Sequence, residues 1–267
     1  MISRRYLIGL IFFALAGHCL AATKSDQAKE KRWEEQIVPS LMVGEAVKLK
    51  AAGTEFLALY APNTDKHFYG GVILIHGIGA HPAWPQIIEP LRTALPDHGW
   101  TTLSLQMPIL RNEANLQDYL PLMPEAPGRI QAGVDYLKSK GVKNIVIIAH
   151  SMGTTMANLY LANKPDKAVH AYVAIGMSNP FPKHYDNASA LSKISLPMLD
   201  LYGSQDLDSV LAFAKARAES ARKANKHYSQ VQILGADHFF TDMQDDLVRR
   251  VRGWLMKNAS GMKPTSP

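Results

Sequence analysis

Ile145-Val146-Ile147-Ile148 runs directly into Ala149-His150-Ser151-Met152-Gly153, and a helical spacing of apolar residues follows. A serine at the apex of a sharp strand-to-helix turn is placed for nucleophilic chemistry. Its backbone is strained, its hydroxyl stands clear of the sheet, and the helix packs so closely on the strand that the residues two places either side must be small. Ala149 and Gly153 meet that demand; glycine is the more usual residue at the first position, and a methyl group is the smallest departure from it. The reaction this suits is attack on an acyl carbonyl. The other use of a serine at this junction is as a helix N-cap, whose side chain accepts a backbone N–H.

A hydroxyl is a weak nucleophile without a base to take its proton, and the base works well only when a third group fixes its tautomer. In an open parallel sheet, ligands sit beyond the carboxyl ends of the strands, so partners are sought just after apolar runs. Met198 to Tyr202 is followed by Gly203-Ser204-Gln205-Asp206, and Val231 to Leu234 by Gly235-Ala236-Asp237-His238. His238 is the candidate base and Asp206 the candidate acid. Asp200 lies inside its strand, Asp237 directly precedes the histidine, and Asp208 suits an N-cap or first helical turn. Acyl transfer also needs backbone N–H groups aimed at the developing oxyanion. Val72 to Ile75 leads into His76-Gly77-Ile78-Gly79-Ala80-His81-Pro82, a glycine-rich turn. The residue after the nucleophile supplies one donor and this turn the other, which points to Met152 and Ile78. The plainer reading of the turn is two glycines that only supply positive φ.

The elements that must position these residues follow from periodicity. Ala46 to Ala61 reads as two strands around Ala52-Gly53-Thr54. Val72–Ile75, Thr101–Leu105, Ile145–Ile148, Tyr172–Ile175, Met198–Leu201 and Val231–Leu234 are short apolar runs of the buried kind. Gln86–Leu95, Ala126–Lys138, Met152–Ala162, Asp208–Ala224 and Asp242–Met256 carry helical spacing. Alternation of strand and helix predicts an α/β fold, a mostly parallel sheet with helices on both faces. Ser178 to Leu196, with Pro180 and Pro182, is expected to form a short cap that leaves the site open. Trp84, Met107, Met123, Met152, Phe181 and Phe239 are candidates for an apolar acyl pocket, with core packing as the alternative.

The order Ser, Asp, His and the turns that carry these residues resemble the α/β-hydrolase superfamily from about Val47 to Leu255. More narrowly, His76–Trp84, Leu103–Pro108 and Gly235–Phe240 resemble a family of exported proteobacterial proteins known mainly as a domain of unknown function. The resemblance implies a sheet of eight strands and Ser151, Asp206 and His238 as a catalytic triad. It implies no particular substrate. Hydrolysis of an ester, thioester or related small acyl compound is the leading expectation. A non-catalytic periplasmic binding or interaction protein that retains the fold is the alternative.

Of the other histidines, His150 is expected to point away into packing, and His76 and His81 to hold loops by hydrogen bonds. No His-Glu-x-x-His pattern or carboxylate cluster with metal spacing occurs, so neither metal nor cofactor is expected. The single cysteine, Cys19, excludes a disulfide and a thiolate nucleophile in a chain cut after it. Arg4 and Arg5, the apolar run Tyr6 to Gly17 and Leu20-Ala21-Ala22 read as a signal peptide over residues 1–22, which predicts a periplasmic or secreted protein beginning near Ala22 or Thr23, without a stable membrane anchor. A polar segment over 23–45, one domain over 46–257 and a polar tail over 258–267 complete the expected organisation. Of the 267 residues, 47% are hydrophobic, enough for one sizeable core. Loss of Arg4 and Arg5 leaves 27 basic against 23 acidic residues, a scattered +4 without an aromatic-interleaved basic stripe, so nucleic acid is not an expected partner.

Overall fold

The computed structural model describes residues 23–163 and 165–259. The expected signal peptide and the end of the polar tail lie outside them. Eight strands form one sheet in the order β1-β2-β4-β3-β5-β6-β7-β8. β1 (Glu45–Ala51) and β2 (Thr54–Ala61) are the expected hairpin, turned by Ala52 and Gly53, both at positive φ. β2 is antiparallel to β4 (Trp100–Leu105), and every pair from there on is parallel: β4 with β3 (Gly70–Ile75), then β5 (Ile145–His150), β6 (Val169–Ile175), β7 (Met198–Gln205) and β8 (Tyr228–Asp237).

β3, β4 and β5 are buried at every residue, and alternate side chains enter different cores. Ile73, Ile75, Ile145, Ile147 and Ala149 pack with α3 (Ala126–Ser139) and α4 (Met152–Leu161). Val72, Leu74, Val146 and Ile148 pack with α2 (Ile88–Ala94) and α7 (Gln244–Asn258). Coverage of both faces is why these strands read as unbroken apolar runs instead of alternating ones. Every one of the described strand ends β3, β5, β7 and β8 that carries a candidate residue opens on one rim, since these strands are parallel and share register.

Two parts differ from the sequence expectation. The polar segment over 23–45 is not an appendage: it folds into α1 (Gln27–Ile37), capped by Asp26, and buries Lys29, Glu30 and Ile37. Ile37 and Trp33 meet Leu57 and Leu59 of β2, while Glu30 pairs with Arg129 of α3 inside the protein. β8 is an edge strand and not a buried one, and Leu234 is 88% exposed. An apolar run is compatible with either position, because length and composition do not report how many neighbours a strand has. Between β4 and α3, residues Leu116–Glu125 form a 3₁₀ stretch that contains Pro121 and Pro124.

The expected cap, Ser178–Leu196, holds a Phe181–Tyr185 bridge and the short α5 (Asn187–Leu191). Buried Asn187 ties it to α4: its Nδ2 donates to Thr155 Oγ1 at 2.9 Å, and its Oδ1 accepts from Asn158 Nδ2 at 2.9 Å. α6 (Asp208–Ala224) is fastened under β7 by a fully buried Arg217–Asp200 pair at 2.7 Å. Asp200 also accepts from Tyr228 and Gln230. A buried pair of this kind does little for net stability, but losing one partner strands a charge, so it commits α6 to one position. Among the described residues, no helix is long and apolar enough to cross a membrane.

Candidate active site

Ser151 stands between β5 and α4 with φ 55° and ψ −128°, a conformation that costs on the order of 1–3 kcal/mol for a residue with a side chain. Packing enforces it. A Cβ at Gly153 would lie 2.5 Å from the carbonyl oxygen of His76, so only glycine lets α4 seat against the end of β3. Ala149 is fully buried and is accommodated in the core. Ser151 occupies the N-cap position, yet its side chain makes no capping bond. Its Oγ instead lies 2.9 Å from His238 Nε2.

His238 follows β8, and its Nδ1 is 2.6 Å from Asp206 Oδ1. Because an ionised carboxylate only accepts, the imidazole proton belongs on Nδ1, which leaves the Nε2 lone pair for the serine hydroxyl. Asp206 closes the turn after β7, where Leu207 N–H donates to Oδ1 at 2.8 Å and Gly203 N–H to Oδ2 at 3.3 Å. The competing carboxylates are engaged elsewhere. Asp200 holds Arg217, Asp208 is the first residue of α6, and Asp237 accepts from the N–H groups of Phe239 and Thr241 at 3.0 and 2.9 Å. Thus the structure brings Ser151, His238 and Asp206 into one hydrogen-bonded chain.

The oxyanion candidates lie at the same spot. Met152 opens α4, so its N–H is among those a helix start leaves without an intrahelical acceptor. The turn with Ile78 is pressed against the serine: a Cβ at Gly77 would come within 2.9 Å of Ser151 Cβ. Gly77 is therefore demanded by close approach, and of the two glycines only Gly79 has a positive φ, at 64°. Of the apolar pocket candidates, Met107, Met123, Met152 and Phe181 belong to the core, Trp84 is partly buried against the other core, and Phe239 is 39% exposed beside His238. Ile78 at 39% and Leu207 at 51% join it as exposed apolar residues next in sequence to site residues.

His150 does not point away from the site. Its ring lies against that of His238, with centres 4.8 Å apart, and its Nε2 is 3.0 Å from the His238 carbonyl oxygen, to which it donates. His76 does hold its loop: Nδ1 donates to Gly77 O at 2.9 Å and Nε2 accepts Met107 N–H at 2.9 Å. Burial lowers both imidazoles to a pKa of about 3, so both are neutral when folded. The unfolded chain takes up protons near the ordinary 6.5, so this contribution is whole above that pH and is lost as pH falls from 6.5 toward 3. Between pH 7 and 5, these two and His81, which burial lowers to about 4, are together expected to lower the unfolding free energy by about 5 kcal/mol. Urea titrations at several pH values check this, and His150→Gln is expected to remove about a third of the slope, whatever it does to absolute stability. An unchanged slope would mean that His150 carries a proton in the folded protein.

Among the described residues, no group of three or more His, Cys, Asp or Glu side chains could hold a metal ion. A mostly parallel eight-stranded sheet in this order, with a strand–serine–helix turn after β5, an aspartate turn after β7 and a histidine after β8, defines the α/β-hydrolase fold. The chain belongs to the family described as "Protein of unknown function (DUF3530)", which it matches over residues 6–128 and 123–257. No curated protein matches the sequence significantly. Solved structures share the fold at low identity. Est1E from Butyrivibrio proteoclasticus superposes with a TM-score of 0.62 at 18% identity, over 80% of this chain and 98% of its own. An esterase from Pyrococcus furiosus gives 0.65 at 17%, over 80% and 92%. A dienelactone hydrolase from Anabaena variabilis gives 0.63 at 20%, over 80% and 97%.

The main features that sequence reasoning missed are the contact of His150 with His238 and the docking of α1 through the buried Glu30–Arg129 pair. A histidine directly before the serine of a sharp turn is a visible signal for the first. For the second the only signal was a pair of apolar residues, Trp33 and Ile37, at helical spacing in a charged segment.

Proposed function

We propose that the protein is a serine hydrolase that cleaves an ester, thioester or related small acyl compound through an acyl-enzyme on Ser151. The observation that carries this reading is the chain Ser151 Oγ, His238 Nε2, His238 Nδ1, Asp206 Oδ1, with its two short contacts. His238 takes the hydroxyl proton as Ser151 Oγ bonds to the acyl carbon, and the carbonyl oxygen gathers negative charge opposite the N–H groups of Ile78 and Met152. His238 then gives that proton to the leaving group. Water repeats the sequence on the acyl-serine, which releases the acid and restores the hydroxyl. The strained serine backbone favours this reading over a binding protein, which has no need of it.

The likeness to esterases and a dienelactone hydrolase in fold supports hydrolysis without naming a substrate. Charge narrows the class. Residues 76–84, 106–110, 176–182, 203–208 and 235–243, which follow the strands toward the site, contain no Lys or Arg, but include Asp206, Asp208, Asp237 and Asp242. With Ile78, Leu207 and Phe239 exposed, the rim suits an uncharged, apolar acyl group.

A fluorophosphonate probe is expected to label the purified protein at Ser151 alone; labelling at another residue, or equal labelling of Ser151→Ala, defeats the assignment. With p-nitrophenyl esters, kcat/KM for neutral acyl chains should exceed that for a hemisuccinate of similar length by roughly tenfold, from repulsion by the acidic rim. Equal rates would defeat the charge argument while leaving the nucleophile in place. Separately, Arg4 and Arg5, the apolar run Tyr6 to Gly17 and Leu20-Ala21-Ala22 support export to the periplasm or beyond with removal of residues 1–22. Mass spectrometry of periplasmic material should give a chain that starts near Ala22 or Thr23, and an intact Met1 in the membrane fraction would contradict it.

A further inference from the structure

We propose that the buried Glu30–Arg129 ion pair is a positioning element of the active site, which sets the direction of the Ile78 N–H through Gln106 and His76. The proposal rests on the acyl-transfer reading of Ser151 and adds to it residues far from the nucleophile in sequence.

The connection can be followed bond by bond. Glu30 of α1 receives Arg129 of α3 in a two-pronged pair, Nη2 to Oε1 at 2.9 Å and Nη1 to Oε2 at 3.1 Å. Arg129 Nη1 also donates to the backbone oxygen of Gln106 at 2.8 Å, just past the end of β4, and its guanidinium lies over the ring of Phe56. The start of α1 grips the following residues: Asp26 N–H donates to Ile109 O at 2.8 Å, Ile109 N–H to Ser25 Oγ at 2.8 Å, and Lys29 Nζ to Leu110 O at 2.9 Å. Ser25 Oγ also donates to Glu30. Segment 106–110 is thus held from outside the sheet. It in turn holds His76, because Met107 N–H and Gln106 Nε2 approach His76 Nε2 at 2.9 and 3.2 Å. His76 Nδ1–H then fixes Gly77 O at 2.9 Å.

The last step follows from the geometry of the peptide unit. Gly77 C=O and Ile78 N–H belong to one planar trans peptide and point in opposite directions. Fixing the oxygen on His76 therefore aims the N–H away from His76. Since Gly77 is pressed against Ser151, a small rotation of this peptide changes the distance from the donor to the oxyanion, where small errors are costly. α1 touches the far end of the same turn as well: Trp33 meets the His81 ring edge-on at 5.0 Å, and His81 Nδ1 accepts Ala83 N–H at 3.2 Å. Glu30, Arg129, Gln106 and His76 are all buried, so water offers none of them an equivalent partner.

The test uses Glu30→Gln, Arg129→Lys and the double variant Glu30→Met/Arg129→Met in the full chain. Replacing both charges with apolar groups of similar length is often neutral for folding, so the double variant separates stability from positioning. In that variant, kcat for the best p-nitrophenyl ester is expected to fall by about 10- to 100-fold with KM within about twofold, since the affected donor acts chiefly on the transition state. Affinity for a trifluoromethyl ketone carrying the same acyl chain should fall in parallel, and Arg129→Lys should lie between wild type and the double variant. Imidazole ¹⁵N NMR gives a reading independent of turnover: the His76 Nδ1 proton should exchange with solvent about tenfold faster in Glu30→Gln, as its support loosens. A folded double variant with wild-type kcat and ketone affinity overturns the proposal. If the double variant does not fold, unchanged turnover and unchanged His76 exchange in Glu30→Gln overturn it equally. Should the wild type neither react with fluorophosphonate nor cleave any ester, the hydrolase reading fails, and the NMR comparison still decides whether α1 supports the turn.

Discussion

Replacing Ser151 with alanine is expected to lower turnover of any ester the protein cleaves by about 10⁶-fold, while a residual rate over the uncatalysed reaction of about 10³ to 10⁴ survives from the oxyanion donors and substrate binding. The size of the effect follows from what Oγ does. In the proposed reaction it is the only atom that bonds to the acyl carbon, and neither His238 nor Asp206 has work to do without it. KM should change little, because the hydroxyl makes few contacts with ground-state substrate. Folding should not suffer: Ser151 makes no capping bond, and its backbone is held by Ser151 N–H to Ile175 O at 2.9 Å and Thr154 N–H to Ser151 O at 2.9 Å. Alanine also keeps the positive φ no worse than serine does. Steady-state kinetics with thermal denaturation of the same samples measures both quantities. A loss below about tenfold would mean that another nucleophile carries the reaction and that the contact with His238 serves only the fold.

The serine turn between β5 and α4 is legible in the sequence because its constraints are local. A buried strand, a small residue on each side and a helix within ten residues leave few other structures for Ala149-His150-Ser151-Met152-Gly153. The partners were legible for a different reason. In a parallel sheet every strand delivers its next turn to the same rim, so the end of an apolar run marks a candidate without any knowledge of pairing. That reasoning finds Asp206 and His238 at positions 55 and 87 residues beyond the serine.

It fails where burial is achieved through charge. α1 reads Gln-Ala-Lys-Glu-Lys-Arg-Trp-Glu-Glu-Gln-Ile, which looks like a solvated helix or linker, and its docking depends on Glu30 meeting an arginine 99 residues away. No local pattern reports such a pair. The placement of His150 against His238 escapes local reasoning for a related cause. A residue at the last position of β5 has its direction set by strand alternation, but what lies there is decided by the turn after β8, which only the folded chain brings near.

The same contrast between local and long-range roles bears on the acid. Asp206→Asn is expected to lower kcat by about 10³ to 10⁴ with little change in folding, because the amide can donate to Nδ1 and so favours the tautomer that leaves no lone pair on Nε2 for Ser151. The two backbone bonds to Asp206, from Leu207 N–H and Gly203 N–H, can both be accepted by the amide oxygen side of asparagine only in part, so a modest loss of about 1 kcal/mol in stability should accompany the kinetic effect. Asp208→Asn is the control. Asp208 is exposed at the first position of α6, where its charge favours the helix start, so its loss should cost at most about 1 kcal/mol and leave turnover within about tenfold. The pH dependence separates the two further. In Asp206→Asn, rate should recover in part at high pH, where hydroxide can replace the missing base, whereas Asp208→Asn should follow the wild-type profile. If the kinetic phenotypes come out reversed in samples matched for folding, then Asp208 supports the histidine during turnover, the 2.6 Å contact of Asp206 with His238 is structural, and the assignment of the acid is wrong.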